Sequence, residues 1–328
     1  MTYWSVPLPA PPPLSRRLTD PVTIWRLAWA FYRELPLRVR LLAAVPLVGA
    51  FVATVPLWVR LDQAAVEFGA IAEEWIQRVE RLRGEPGTSL EDFEAVSGLF
   101  DAIVGQLSGL LLPIAVLGVI QWTGLMLTIG VSAAVLPARP GPILHADAVL
   151  ARLAGRWFSL FALSASVGLL VRVPTLLALG GLFVMRSPFD LGRIVAFGIL
   201  GLVGTIAVFI LAIVALGRWS LAPALVVQRP IGPRAAAAVS RALTRGVTTD
   251  VAVSVGFAIL GVVVLASIPG VVLTAVGGDP MRPAPGSTLI SALLATAAQA
   301  IVVPYLGIVL ALLSYRLSEV RRVKARGD

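Results

Sequence analysis

Arg172 is the side chain best placed to do chemistry: it lies midway along an apolar run, two residues before Pro174. A guanidinium at the bilayer centre costs about 3 kcal/mol on insertion scales and normally faces the protein interior or an aqueous cavity. It reads either as part of a pathway or anion-headgroup site beside a kinked helix, or as a structural charge. In the second case the span is tilted or broken at Pro174, and the side chain snorkels or binds a carbonyl. Gln121 and Gln299 lie inside other apolar runs, where amides typically hydrogen-bond between helices. His145, near Asp147, is the one histidine, and there is no cysteine. Thiolate nucleophiles and Cys-ligated metals are therefore excluded, and a His-based metal site has too few ligands. The carboxylates show no Glu-x-x-His or Asp-x-Asp-x-Asp spacing, and no phosphate-binding loop or nucleophile elbow occurs. No catalytic residue, cofactor or metal is expected, and the chain reads as a non-enzyme.

The elements that would hold Arg172 are set by composition. Of 328 residues 58% are hydrophobic and only 14% charged, with a mean hydropathy of +0.90; soluble domains carry about 25% charged residues. Apolar runs of about 18 residues or more then read as transmembrane helices. Six are expected, near Leu41–Val59, Gly109–Leu136, Phe158–Met185, Ile194–Leu216, Val251–Val276 and Leu289–Leu313. Gly198, Gly201 and Gly204 form a small-residue stripe for close packing on the fourth.

The net charge is +9, and every basic residue except Lys324 is arginine. The arginines gather beside the apolar runs, which favours topology-setting charge over nucleic-acid binding. Arg16, Arg17, Arg26, Arg33, Arg38 and Arg40 precede the first run. Arg139, Arg152 and Arg156 follow the second; Arg218, Arg229, Arg234, Arg241 and Arg245 follow the fourth. Arg316, Arg321, Arg322, Lys324 and Arg326 close the chain, while the loop after the third run has Arg186 and Arg193 and the loop after the fifth only Arg282. The positive-inside rule then makes both termini cytoplasmic and implies a multi-pass protein of a bacterial plasma membrane. The proline-rich start, Val6 to Pro13, reads as an extended tail and lacks the apolar core of a signal peptide.

The segment 61–107 differs in charge. Between Leu61 and Asp101 ten acidic residues face three arginines. Phe68, Ile71, Trp75, Val79 and Leu82 recur at helical spacing, as do Leu90, Phe93, Val96, Phe100, Ile103 and Leu107. Gly84 to Gly87 interrupts them, and Ser89 with Asp92 resembles a capping box. An extracytoplasmic helical hairpin is expected, continuing spans one and two, its stripes buried on each other or on a partner.

Two basic loops are alike. Arg139-Pro-Gly-Pro142 leads to Ala148–Leu153 and Gly155-Arg156; Arg229-Pro-Ile-Gly-Pro233 leads to Ala238–Leu243 and Arg245-Gly246. A weaker third copy runs from Asp20-Pro21 to Leu37, with Ile24, Leu27, Ala28 and Phe31 on one face and Arg26 and Arg33 on the other. The expected unit is an interfacial amphipathic helix followed by two spans, present three times. The chain so divides into a tail and amphipathic helix (1–40), spans one and two with the hairpin (41–136), a helix with spans three and four (137–216), a helix with spans five and six (217–313), and a basic tail (314–328). The fold class is all-α and polytopic.

Arg218-Trp-Ser-Leu-Ala-Pro-Ala-Leu-Val-Val227, Gly232-Pro233 and Ala238-Val-Ser-Arg-Ala-Leu-Thr-Arg-Gly246 resemble the glycerophosphoryl diester phosphodiesterase membrane-domain family, with its YciC-like six-span bacterial members. Arg218 and Pro223 match an arginine and a small-residue-proline pair at the end of span four. Ser240, Leu243, Thr244 and Gly246 match a Ser-x-x-Leu-Thr-x-Gly helix, and Tyr315 to Arg321 is similar to the family's final exit. Gln228 stands where the family has glutamate, and the tail lacks the usual aspartate. The matching covers Arg218 to Arg321, and what it implies is a membrane fold, not a reaction.

Two functions compete on these residues. One is a non-catalytic scaffold or accessory subunit, holding a protein partner at the acidic hairpin and anionic lipid headgroups at the cytoplasmic arginines. The other is a transporter or lipid-handling permease around Arg172, although its spans offer few charged residues to couple ions. The partners expected are the lipid bilayer, those headgroups and that protein, with no nucleic acid.

Overall fold

A computed structural model of the chain describes residues 21–84, 90–136, 146–166, 217–275 and 284–327. The described residues are all-helical, without strands. In order the helices are α1 (Pro21–Glu34), α2 (Leu37–Gly84), α3 (Leu90–Ala134) and α4 (Ala146–Ala154), then α5 (Trp157–Ser166). After them come α6 (Ala222–Gln228), α7 (Pro233–Thr244), α8 (Thr248–Ala275) and α9 (Ser287–Gly327).

Among the described residues four stretches are long and apolar enough to cross a membrane: Leu37–Arg81, Leu112–Ala134, Thr248–Val272 and Ser287–Arg321. They fall where spans one, two, five and six are expected. α4 and α5, bent by 73° at Gly155-Arg156, pass the same test only as a broken pair. Most of expected span three and all of span four lie outside the described residues, and with them Arg172 and the Gly198, Gly201 and Gly204 stripe. Four helices of this kind are compatible with a membrane-embedded protein.

α9 organises the bundle, packing on α1, α2, α3, α6, α7 and α8. Its Val303–Leu313 segment is apolar on every side, and all but Tyr305 of its hydrophobic side chains there are buried; a helix without a polar face needs such surroundings. Gly307 permits the close approach. A methyl there would stand 2.6 Å from the Ile129 carbonyl oxygen and 2.6 Å from Ser132 Cβ. α8 is apolar all round as well, yet Phe257, Leu260, Val263, Ile268 and Val271 are exposed on it, as expected of a lipid-facing helix.

α2 and α3 are single continuous helices despite Pro46, Pro56 and Pro113. Both helices therefore run on unbroken past the apolar stretches of expected spans one and two. Gln121 Nε2 donates to Thr54 Oγ1 at 2.8 Å, and Gln106 Nε2 donates to Glu67 Oε2 at 3.1 Å. Both pairs fit one antiparallel register. At about 1.5 Å per residue, α2 runs on for ~35 Å past Leu61.

Among the described residues a short helix stands before a second helix three times: α1 before the long α2, α4 before α5, and α7 before the long α8. Pro36, which cannot donate to a preceding turn, separates the first pair. Gly246, with φ +88°, turns the chain in the third. The expected face of α1 is its packed face: Ile24, Ala28 and Phe31 are buried, while Arg26 and Arg33 are exposed. It rests on α9 and α8, with Tyr32 donating to the Ile301 carbonyl and Tyr305 to that of Trp25.

Candidate functional site

An α-helix ends with carbonyl groups that have no intrahelical donor, at the negative pole of its macrodipole. Four helices of this bundle end on an arginine supplied from elsewhere in the chain. Arg40, in the first turn of α2, reaches back to α1, with Nε 3.0 Å from the Leu35 carbonyl and Nη2 2.7 Å from that of Arg33; its guanidinium also stacks over the Tyr32 ring. Arg152 of α4 places Nη1 2.9 Å from the Ala134 carbonyl and 3.0 Å from that of Leu136, closing α3. Arg156 donates to the Val227 carbonyl at the end of α6. Arg321 of α9 donates to the Arg245 carbonyl just past α7, at 3.2 Å. Charge-assisted donors at helix C-termini contribute both hydrogen bonds and a favourable dipole term. These residues are legible as topology-setting charges; their capping role is not, since all four lie outside the helix whose end they close.

Among these ends sits α6, whose residues Ala222 to Val227 are buried without exception. Sequence reasoning places this segment in a loop after span four, because seven apolar residues are too few to cross a membrane. It instead forms a short core helix against α3, α7 and α9. Pro223 sits in its first turn, where a missing N–H costs nothing. Gln228 ends it: its Oε1 lies 2.8 Å from Ser314 Oγ, while its Nε2 is buried with no partner among the described residues. Arg229 Nη2 donates to Ser318 Oγ at 2.8 Å. Gln228 and Arg229 so join α6 to α9 through two serines one helical turn apart.

The resemblance residues come together here. Ser240 Oγ donates to the Arg218 carbonyl at 2.7 Å, and Thr244 Oγ1 lies 3.1 Å from the Ser240 carbonyl. Ser240, Leu243 and Thr244 form the buried face of α7, and Gly246 makes the turn that follows. They join two helices and form no catalytic constellation.

The hairpin end has a comparable feature among the described residues. Asp62, only 8% exposed, accepts hydrogen bonds from the backbone N–H of Gly286 at 2.6 Å and of Thr288 at 2.9 Å. A carboxylate from α2 so caps the N-terminus of α9, the pole that favours an anion. Gly286, at φ +85°, gives the backbone the left-handed turn that leads into α9. Asp62 lies beyond the apolar run of span one. Burial pushes its pKa up, but the N–H donors of Gly286, Thr288 and Leu289 and the Thr288 side chain outweigh this and hold it below the usual carboxylate value. Nothing local distinguishes Asp62 from the other acids of 61–107, so sequence reasoning missed it.

Gln121 forms the expected inter-helix bond. Gln299 is half-buried. Arg172 and His145 lie outside the described residues. Among the described residues no three His, Cys, Asp or Glu side chains cluster as a metal site would require. No family model, curated protein or solved structure matches the chain.

Proposed function

We propose that the chain is a non-catalytic, six-span protein of a bacterial plasma membrane, with both termini cytoplasmic, acting as a scaffold or accessory subunit. The observation that carries this reading is the arm built by α2 and α3. Beyond Leu61 its expected stripe residues Phe68, Ile71, Trp75 and Val79 are only half-buried, and Ala72 is the buried hydrophobic residue between Phe68 and Val79. An apolar stripe left half-open and rimmed by carboxylates is what a docking arm offers a second protein. The recurrence of a short helix before another helix, at α1, α4 and α7, supports an architecture of three repeated units. The similarity of residues Arg218 to Arg321 to the glycerophosphoryl diester phosphodiesterase membrane-domain family points to the same kind of protein.

The test uses the whole chain in its own membrane, with a photo-crosslinking amino acid placed singly at Ala70, Gln77 or Glu80 on the arm. Discrete protein adducts at these positions, absent for the same probe at Leu293 on the apolar face of α9, are expected. Uniform absence of adducts from the arm would remove the scaffold reading. The competing transport reading is decided by Arg172→Gln: loss of substrate flux with normal assembly would favour it.

A further inference from the structure

Two groups of arginines at the basic end differ in what they bind. Arg40, Arg152, Arg156 and Arg321 are committed to carbonyls and Arg229 to Ser318. The side chains of Arg234, Arg241 and Arg245 make no hydrogen bond or ion pair with the described residues. All three are exposed. Arg234 and Arg241, seven residues apart, share the face of α7 opposite the buried Ala236, Ser240, Leu243 and Thr244, and Arg245 caps the end of the same helix. No acidic residue occurs from Arg218 to Val247; the next in sequence is Asp250, in the first turn of α8. Arg234 stands in the first turn of α7, where the helix dipole works against a cation and no acidic side chain compensates.

We propose that the Arg234–Arg241–Arg245 face of α7 docks onto the phosphates of anionic phospholipids at the basic end of the bundle. The surroundings select this occupant. The other exposed residues of this face, Ala235, Ala238 and Ala242, are alanines. A protein partner is normally gripped by aromatic or long apolar anchors at the centre of a patch. A soluble phosphate compound needs a concave site, whereas this is the outer side of a helix. A fluid headgroup layer asks only for charge at the right level. The chain passes from Arg245 to Thr248, the first residue of α8, in three steps, which sets the face beside an apolar helix with Val253 and Phe257 exposed. The proposal rests on the membrane reading of the chain and is independent of the scaffold role. Among the expected headgroup contacts it singles out these three, which gather at one helix.

The chain has no cysteine, so Ala238→Cys gives a single labelling position on this face. The full-length labelled protein is placed in nanodiscs of phosphatidylcholine with increasing phosphatidylglycerol, and quenching by headgroup-labelled lipid of either type is recorded. Quenching by the anionic lipid is expected to saturate at a lower mole fraction than quenching by the zwitterionic one. Each arginine near an anionic surface is worth about fivefold in association, so replacing all three by Gln weakens the preference by roughly a hundredfold. The triple Lys variant retains it, and salt reduces it. Should the triple Gln variant fail to assemble, Arg241→Gln alone carries the test with its expected fivefold loss. Equal quenching by both lipids overturns the proposal, as does a preference unchanged in the Gln variants. Displacement of the anionic lipid by millimolar inorganic phosphate, or binding of an acidic peptide without lipid preference, overturns it too. Failure of the unsubstituted protein to enter nanodiscs would instead overturn the membrane reading beneath it.

Discussion

At the basic end of the bundle α3, α6 and the second half of α9 bury residue after residue, and three of the four arginine-closed helices end in or against that core. At the hairpin end α2 and α3 run on without a break, Ala72 is the buried hydrophobic residue between Phe68 and Val79, and a carboxylate, Asp62, ties α2 to the start of α9. One end holds itself together by dense packing and satisfied helix termini. The other holds by helix continuity and a single cap, and keeps its apolar stripe half-open. The inner core is thus the rigid part, and the arm is the part with surface left to offer.

The sharpest break between the two ends is expected from glycine substitutions. Gly307→Leu drives a side chain into the Ile129 backbone and is expected to destabilise by about 3 kcal/mol, as overpacking does, read as a fall in thermal midpoint in detergent. A methyl added at Gly98 in the arm would meet nothing within 4 Å, so Gly98→Ala should be neutral or stabilising by about 0.5 kcal/mol. Equal effects at the two sites would erase the distinction between core and arm.

Asp62→Asn removes the charged acceptor of two backbone donors and should cost about 2 kcal/mol. Because the folded-state pKa of Asp62 is depressed from its ordinary 3.8, its contribution is complete above that value. It is lost as pH falls through the lower folded-state pKa. The stability difference between wild type and Asp62→Asn should therefore be flat at neutral pH and shrink below pH 3.8; a difference unchanged by acid would show that the cap does not act through charge.

Arg152→Gln leaves the Ala134 and Leu136 carbonyls without their charged donor and should cost about 1 kcal/mol, measured in the same unfolding assay. Glu74→Ala breaks an exposed pair with Arg78 in the arm and should change stability by no more than about 0.5 kcal/mol. A larger loss for Glu74 than for Arg152 would invert the comparison.

How much of this could be read in the sequence depended on whether the cause was local. Long apolar runs announce four of the helices directly, because lipid leaves the backbone no other option. The Phe68 to Val79 periodicity places the arm, and the Ile24 to Phe31 stripe gives the packed face of α1. Gln121 is recognisable as an inter-helix donor, but Thr54 is not recognisable as its acceptor, since that depends on the register of two distant helices. α6 escaped because its apolar run is too short for a span and is buried only by neighbours remote in sequence. Arg152, Arg156 and Arg321 are indistinguishable by composition from Arg234, Arg241 and Arg245; only the fold separates the caps from the unengaged face. Asp62 is hidden among ten acids for the same reason.

The central claim is that the dense, arginine-capped end and the arm lie on opposite sides of one membrane, with the capped end inside. In the cysteine-free chain, single cysteines at Ala238 on α7 and Glu80 on the arm can be labelled in intact cells with a membrane-impermeant maleimide. Glu80→Cys is expected to label at once and Ala238→Cys only after permeabilisation. Labelling of both positions from the same side would contradict that arrangement.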